Sequence, residues 1–320
     1  MDSQATHETP RLPQIIAHRG YKGRYPENTL CSVDAAVRAG SHALELDLHL
    51  TRDGVVVLSH DPTLKRCYGV KKKICECDWS YLSTLRTLQA PHAPMPRLLD
   101  ILEYLREPGR ESLWVLLDIK LANNPATIMQ RIAGTIRSVP VSAGSPDWHE
   151  RIVLGCWSSR YLPQRDRYLP KYAFALINAH LDYAREFLHL PRVSFNLNQK
   201  VLMGPLGRGL LKKAREANHP VYLWTVNAPN MMRWAIRNRV DGIITDDPVL
   251  LRRVYEEWEK EERANPNTSE PRPLTKSDRL TVGQRIQIMV FTILVVLSNR
   301  YFRWKFLPSV DHMRLEEPSG

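Results

Sequence analysis

Ala43-Leu44-Glu45-Leu46-Asp47-Leu48-His49-Leu50, followed by Thr51-Arg52-Asp53-Gly54, Val55-Val56-Val57-Leu58 and Ser59-His60-Asp61, is the stretch whose pattern sets the architecture. Its strict alternation puts Leu44, Leu46, Leu48 and Leu50 on one face of a strand and Glu45, Asp47 and His49 on the other, so the two carboxylates point the same way. Asp53-Gly54 supplies the positive φ of a tight hairpin turn, and Val55 to Leu58 is the returning strand. Folding about that turn predicts His60 opposite Glu45 and Asp47, at the roughly 5 Å of cross-strand neighbours. A cation held by the carboxylates would then lie beside this imidazole. The plain alternative is a hairpin with polar side chains on a solvated face.

Outward from the hairpin, Ile16-Ala17-His18-Arg19-Gly20 and Pro26-Glu27-Asn28-Thr29 add a second imidazole and further polar groups. Cleaving a phosphodiester needs a cation to draw off charge, a base for the attacking hydroxyl and an acid for the leaving oxygen. His18, His60 and the carboxylate pair match that requirement. Arg19 reads as a clamp on phosphate oxygens, against a surface ion pair. Asn28 is either part of the site or the N-cap of a helix starting at Leu30. Glu27 is placed to orient a histidine.

Apolar runs at Gln14 to Ala17, Ala43 to Leu50, Val55 to Leu58, Trp114 to Ile119, Arg151 to Trp157, Tyr172 to Ile177, Val193 to Leu197, Val221 to Val226 and Gly242 to Thr245 read as strands, mostly separated by helical patterns. That is the rhythm of a β/α barrel. Nine runs exceed the eight a closed barrel needs, which predicts that one hairpin strand is irregular or antiparallel, with distortion near Val55. The chemical residues sit at or just after strand ends, where such barrels carry their sites. Trp224 reads as core or as a pocket wall against a glycerol moiety, and Asp246 as the cap of the helix at Pro248 in preference to a partner for Lys120 or a substrate hydroxyl. The segment from 61 to 113 lacks a regular βα unit and reads as an insertion over the site.

The order HRG, PENT, ExD, DG and HD resembles the glycerophosphodiester phosphodiesterase family, and within it the fungal phosphatidylglycerol phospholipase C branch. The likeness continues through Leu117-Asp118-Ile119-Lys120, Leu223-Trp224-Thr225-Val226-Asn227 and Gly242-Ile243-Ile244-Thr245-Asp246-Asp247-Pro248. It implies a distorted TIM (β/α)8 barrel of the phospholipase C-like phosphodiesterase type. It further implies His18 and His60 as acid and base, Glu45, Asp47 and Asp118 as metal ligands, Arg19 on the phosphate and Lys120 steadying developing charge. The wider family usually has Glu where this chain has Asp118. An oxygen-only ligand set suits Mg²⁺ or Ca²⁺ over zinc. The implied reaction is cleavage of phosphatidylglycerol to diacylglycerol and glycerol phosphate. Alternatives are hydrolysis of deacylated or lyso substrates, and a silent lipid-binding barrel.

The 320 residues, 43% hydrophobic, suffice for one large core. The expected division is an N-terminal extension (1–13), the barrel (14–264, insertion about 61–113), a linker (265–284), a hydrophobic anchor (285–307) and a polar tail (308–320). The five cysteines include Cys67, Cys75 and Cys77, but their spacing lacks paired C-x-x-C ligands. With no N-terminal signal pattern, the chain reads as reduced and facing the cytosol, not secreted. Ile286 to Leu297 is apolar for about a dozen residues, short of the roughly 20 a span needs, and ends in Arg300-Tyr301-Phe302-Arg303-Trp304-Lys305. This predicts a separable, monotopic anchor at the surface of the endoplasmic reticulum, a lipid droplet or a mitochondrion, the alternatives being a helix docked on the barrel and a single tilted span with Arg300 near one edge. The formal charge of +11 favours an anionic lipid surface, and no motif supports nucleic acid.

Overall fold

A computed structural model describes residues 11–264 and 274–310. Its strands are β1 (Gln14–His18), β2 (Ala43–Leu50), β3 (Val56–Leu58), β4 (Trp114–Ile119), β5 (Ile152–Cys156), β6 (Ala173–Asn178), β7 (Val193–Asn198), β8 (Val221–Trp224) and β9 (Gly242–Thr245). Eight of them run parallel in a closed ring, because β1 pairs with both β2 and β9. The ninth, β3, pairs antiparallel with β2 outside the ring, and Val55 falls just before it.

The leucine alternation of β2 explains how the ring is packed. Leu44, Leu46 and Leu48 are wholly buried in the layer between strands and helices, with Val115, Leu117 and Phe195. The alternate residues point inward, where Ile16, Ala43 and Ile244, and Leu116, Ala175 and Ile177, form small apolar clusters. Space there is tight at Gly155, where a Cβ would meet Leu116 Cδ2 at 2.7 Å and Ile177 Cδ1 at 2.8 Å. Glu45, Asp47 and Asp118 share the same inward direction.

The expected insertion divides in two. Val57, Leu64, Tyr68, Ile74, Leu82 and Met95 form a small core of their own. The helix Leu98–Arg106 instead buries Leu98, Ile101, Leu102 and Leu105 in the main core, so it belongs to the barrel's outer layer. All five cysteines are free, with Cys77 buried in the smaller core.

Of the expected terminal segments, residues 1–10, 265–273 and 311–320 lie outside the described residues. The rest of the linker is docked: Asp278 pairs with Arg237 at 2.7 Å, beside the buried Arg233. A helix then runs from Val282 to Phe306, opened by a Thr281 side chain that accepts from Gln284 N–H. Among the described residues this is the one helix long and apolar enough to cross a membrane by length and composition. It departs from a separable anchor because one side is fastened to the barrel. Ile288 is buried, Phe291, Val295 and Phe306 pack on the main core, and Leu307 and Val310 close the contact.

Candidate active site

The sheet register builds the site. His18, the last residue of β1, lies opposite Glu45 of β2, and Asp47 of β2 lies opposite Asp118 of β4. Parallel partners in register share a face, so four inward side chains meet at the C-terminal end of the ring. Glu45, Asp47 and Asp118 each offer an oxygen within 4.8 Å of the others, and all three are buried.

Each carboxylate has its own bracing. Asp47 Oδ2 accepts from Asn28 Nδ2 at 2.7 Å and lies 3.1 Å from Arg19 Nε, while the Asp47 N–H donates to Asn28 Oδ1. Asp118 Oδ1 accepts from Trp157 Nε1 at 2.7 Å, and its Oδ2 from Lys120 Nζ at 2.5 Å. Lys120 Nζ also lies 2.6 Å from Asp47 Oδ1 as an ion pair without hydrogen-bond geometry. Glu45 Oε2 accepts from the Arg19 N–H at 3.1 Å.

Burial, together with the charges of Asp47 and Asp118, raises Glu45 well above the usual carboxylate range. Burial also raises Asp118. Asp47 goes the other way: burial opposes its ionisation, but Lys120 and Arg19 outweigh it. The cluster is therefore short of positive charge. An oxygen-only donor set with a buried Asp47 oxygen lacking a hydrogen bond fits a hard divalent cation.

Two imidazoles flank the carboxylates. His18 Nδ1 is 2.5 Å from Asp246 Oδ1, leaving Nε2 directed inward, 3.8 Å from Glu45 Oε2. His60 follows β3, held there by Ser59 N–H on the Asp47 carbonyl at 3.0 Å, and its Nδ1 lies 2.7 Å from Asp61 Oδ1. Burial lowers the pKa of both rings, against the opposing pull of their carboxylate partners. Each ring thus has one nitrogen occupied by a carboxylate and one available for proton transfer.

Several sequence expectations change. Asp246 does not cap the helix at Pro248; Asp247 does, accepting from Leu250 N–H at 3.0 Å. Asp246 turns instead to His18, with Asn227 Nδ2 donating to its other oxygen at 2.8 Å. Asn28 is not a helix cap either, since Thr29 fills that position. Its φ of 55° is a left-handed conformation that asparagine tolerates, and it turns the amide onto Asp47. Glu27 orients no histidine among the described residues. It receives Arg19 at 3.0 Å and Arg66 at 2.7 Å, so Arg19 is held between Glu27 and Asp47. Arg66, from the insertion, also holds Asp61 at 2.7 Å. Trp224 is half-buried and meets Trp157 edge-on at 5.7 Å, giving the mouth an aromatic wall. Trp157 was missed, though its position just beyond β5 matched the rule that singled out the others.

The family model described as "Glycerophosphoryl diester phosphodiesterase family" matches residues 18–250. A glycerophosphodiester phosphodiesterase of Bacillus altitudinis is 26% identical over 260 residues, covering 77% of this chain and 99% of the relative. A lysophospholipase D of Homo sapiens is 26% identical over 277 residues, covering 75% of this chain and 85% of the relative. Among solved structures, a glycerophosphodiester phosphodiesterase of Parabacteroides distasonis superposes with a TM-score of 0.67 at 21% identity, covering 77% of this chain and 98% of that one. A phosphodiesterase of Oleispira antarctica, in complex with the product sn-glycerol-3-phosphate, gives 0.66 at 20% identity, covering 77% and 97%.

Proposed function

This chain belongs to the glycerophosphoryl diester phosphodiesterase family, and from that premise we propose that it hydrolyses deacylated or lyso glycerophosphodiesters, in which the backbone glycerol keeps a free hydroxyl beside the phosphate. The carrying observation is the convergence of Glu45, Asp47 and Asp118 between two histidines whose outer nitrogens are each held by a carboxylate. The relatives named for glycerophosphodiester and lysophospholipase D activity support this reading. Phosphatidylglycerol cleavage of the phospholipase C type has only the sequence resemblance behind it.

Glu45, Asp47 and Asp118 would hold a divalent cation, Mg²⁺ or Ca²⁺, which stabilises charge on the phosphoryl oxygens. One histidine takes the proton of the substrate's glycerol hydroxyl as that oxygen attacks phosphorus, and the other gives a proton to the departing alcohol. Water then opens the resulting cyclic phosphate, with the two rings exchanging roles. Asp246 and Asp61 keep the rings oriented. Lys120 and Arg19 add positive charge beside the reacting group, and Trp157 and Trp224 form one wall against the substrate's glycerol. The apolar C-terminal helix supports a substrate presented at a lipid surface.

The test compares glycerophosphoglycerol, lysophosphatidylglycerol and phosphatidylglycerol, each with Mg²⁺, Ca²⁺ or a chelator. Metal-dependent release of glycerol phosphate or lysophosphatidic acid from the first two is expected. Diacylglycerol from phosphatidylglycerol as the main product would overturn the substrate assignment, and no turnover of any of them with metal would overturn the function.

A further inference from the structure

The C-terminal helix Val282–Phe306 is fastened along the same end of the barrel that carries the site. Each partner of its inner side follows closely on a strand end. Asn230, beyond β8, exchanges hydrogen bonds with Gln284 at 2.7 and 3.0 Å. Lys200, just after β7, lies over the Phe291 ring at 5.7 Å. After β6, Asp182 accepts from Asn299, Glu186 pairs with Arg303, and His180 meets Phe302 at 5.3 Å. After β5, Ser159 Oγ donates to the Pro308 carbonyl at 2.8 Å. The helix therefore borders the mouth over the β5 to β8 half.

Among the described residues its outer side makes no hydrogen bond, ion pair or ring contact with the barrel, and the contacts of Tyr301 with Lys305 and Trp304 stay within the helix. Ile286, Val290, Ile293, Leu297, Tyr301 and Trp304 recur at three- and four-residue intervals and are all exposed, Leu297 at 74% and Trp304 at 82%. Exposed Arg285, Arg300 and Lys305 flank this stripe, and no acidic residue occurs from 282 to 307. An apolar stripe with aromatic residues at one end and cations at both ends matches a lipid interface with anionic headgroups. A protein surface would have to be apolar and acidic together.

We propose that this helix lies flat in the membrane surface while remaining fastened to the barrel, so that it orients the active-site mouth toward the bilayer and the enzyme draws its substrate directly from the lipid layer. Twenty-five residues make a helix of about 37 Å, long enough to span. The inner contacts oppose that, because spanning would carry Gln284, Asn299 and Arg303 away from their partners. The substrate part of the inference rests on the phosphodiesterase reading, and selects lyso substrates held in a bilayer over freely soluble diesters.

The experiment uses the full chain and vesicles of phosphatidylcholine with or without phosphatidylserine. The paired variant Leu297→Asp, Trp304→Ser alters only exposed positions. It is expected to lose about tenfold or more in vesicle co-sedimentation while turning over glycerophosphoglycerol at the parent rate. The paired variant Asp182→Ala, Glu186→Ala loosens the fastening. It is expected to keep vesicle binding and soluble-substrate turnover but to lose about fivefold in turnover of vesicle-held lysophosphatidylglycerol. Parent-like vesicle binding by the first pair, or a shift from dimer to monomer in a protein that ignores vesicles, overturns the membrane face. Undiminished vesicle turnover by the second pair overturns the orienting role. A parent chain inactive on every substrate defeats the functional reading, and the sedimentation arm still decides the membrane face.

Discussion

Asp246 Oδ1 lies 2.5 Å from His18 Nδ1 although the two are 228 positions apart, so the residue just after the last strand of the barrel supplies the partner of an imidazole on the first. Ring closure between β1 and β9 makes this contact possible. The carboxylate fixes the ring's orientation and favours its protonated form, against burial that lowers its pKa.

Asp246→Asn keeps the shape and removes the charge. Without that charge the His18 pKa falls further, so where neutral His18 is the base the acid limb of the kcat/KM profile moves to lower pH. Turnover should fall by about tenfold or more through lost orientation. A pH–rate series on the glycerol diester measures both. An unmoved limb with full turnover would return Asp246 to a purely structural part.

His18→Ala and His60→Ala should each lower turnover by roughly 10² or more and leave circular dichroism unchanged, because they remove proton transfer and little packing. His60 depends on a longer chain of contacts, through Asp61 to Arg66 and on to Glu27. Arg66→Ala should therefore reduce turnover more than it reduces thermal stability, since its salt bridges are half-exposed and individually weak. Single-turnover kinetics beside a melting curve separates the two effects.

The strands were legible because apolar alternation and run length are local properties. The runs from Ala43 to Leu50, Trp114 to Ile119 and Gly242 to Thr245 match β2, β4 and β9 residue for residue. The carboxylate cluster was legible for the same reason, since alternation within β2 already points Glu45 and Asp47 together. Second partners were not legible. Asp246 and Asp247 are adjacent and either suits a helix cap; only ring closure decides which one meets His18. Glu27 and Arg66 are joined through an insertion with no regular period. In the C-terminal helix, Gln284, Asn299 and Arg303 share the buried side, a pattern that has meaning only beside Asn230, Asp182 and Glu186.

The raised Glu45 pKa makes a stability prediction. The folded chain retains this proton over a range where the unfolded chain has lost it, so metal-free stability is fullest below the ordinary glutamate pKa and declines as pH rises through the raised value. Glu45→Gln should then increase the Tm of metal-free protein near neutral pH and shrink the increase that Mg²⁺ or Ca²⁺ gives the parent. Calorimetry with and without chelator reads both changes. A parent Tm that is indifferent to metal and to pH across this range would contradict the charge deficit.

Removing residues 265–320 tests whether the tail is an appendage or part of the fold. Ile288, Leu307 and Val310 are 8%, 4% and 1% exposed, and all three would be lost with the tail. At about 1.5–3 kcal/mol for each fully buried aliphatic side chain, that loss alone is several kcal/mol. Asp278 would go too, leaving the buried Arg233 and the partly buried Arg237 without that carboxylate. A chain of this size shifts by roughly 1.5 °C per kcal/mol. The truncated barrel should therefore melt about 10 °C or more below the full chain and show reduced soluble-substrate activity at a temperature where the full chain is stable. A truncated protein with the parent's Tm and turnover would make the tail a separable anchor, and the contacts at Asp182, Glu186 and Ser159 would then carry no weight in folding.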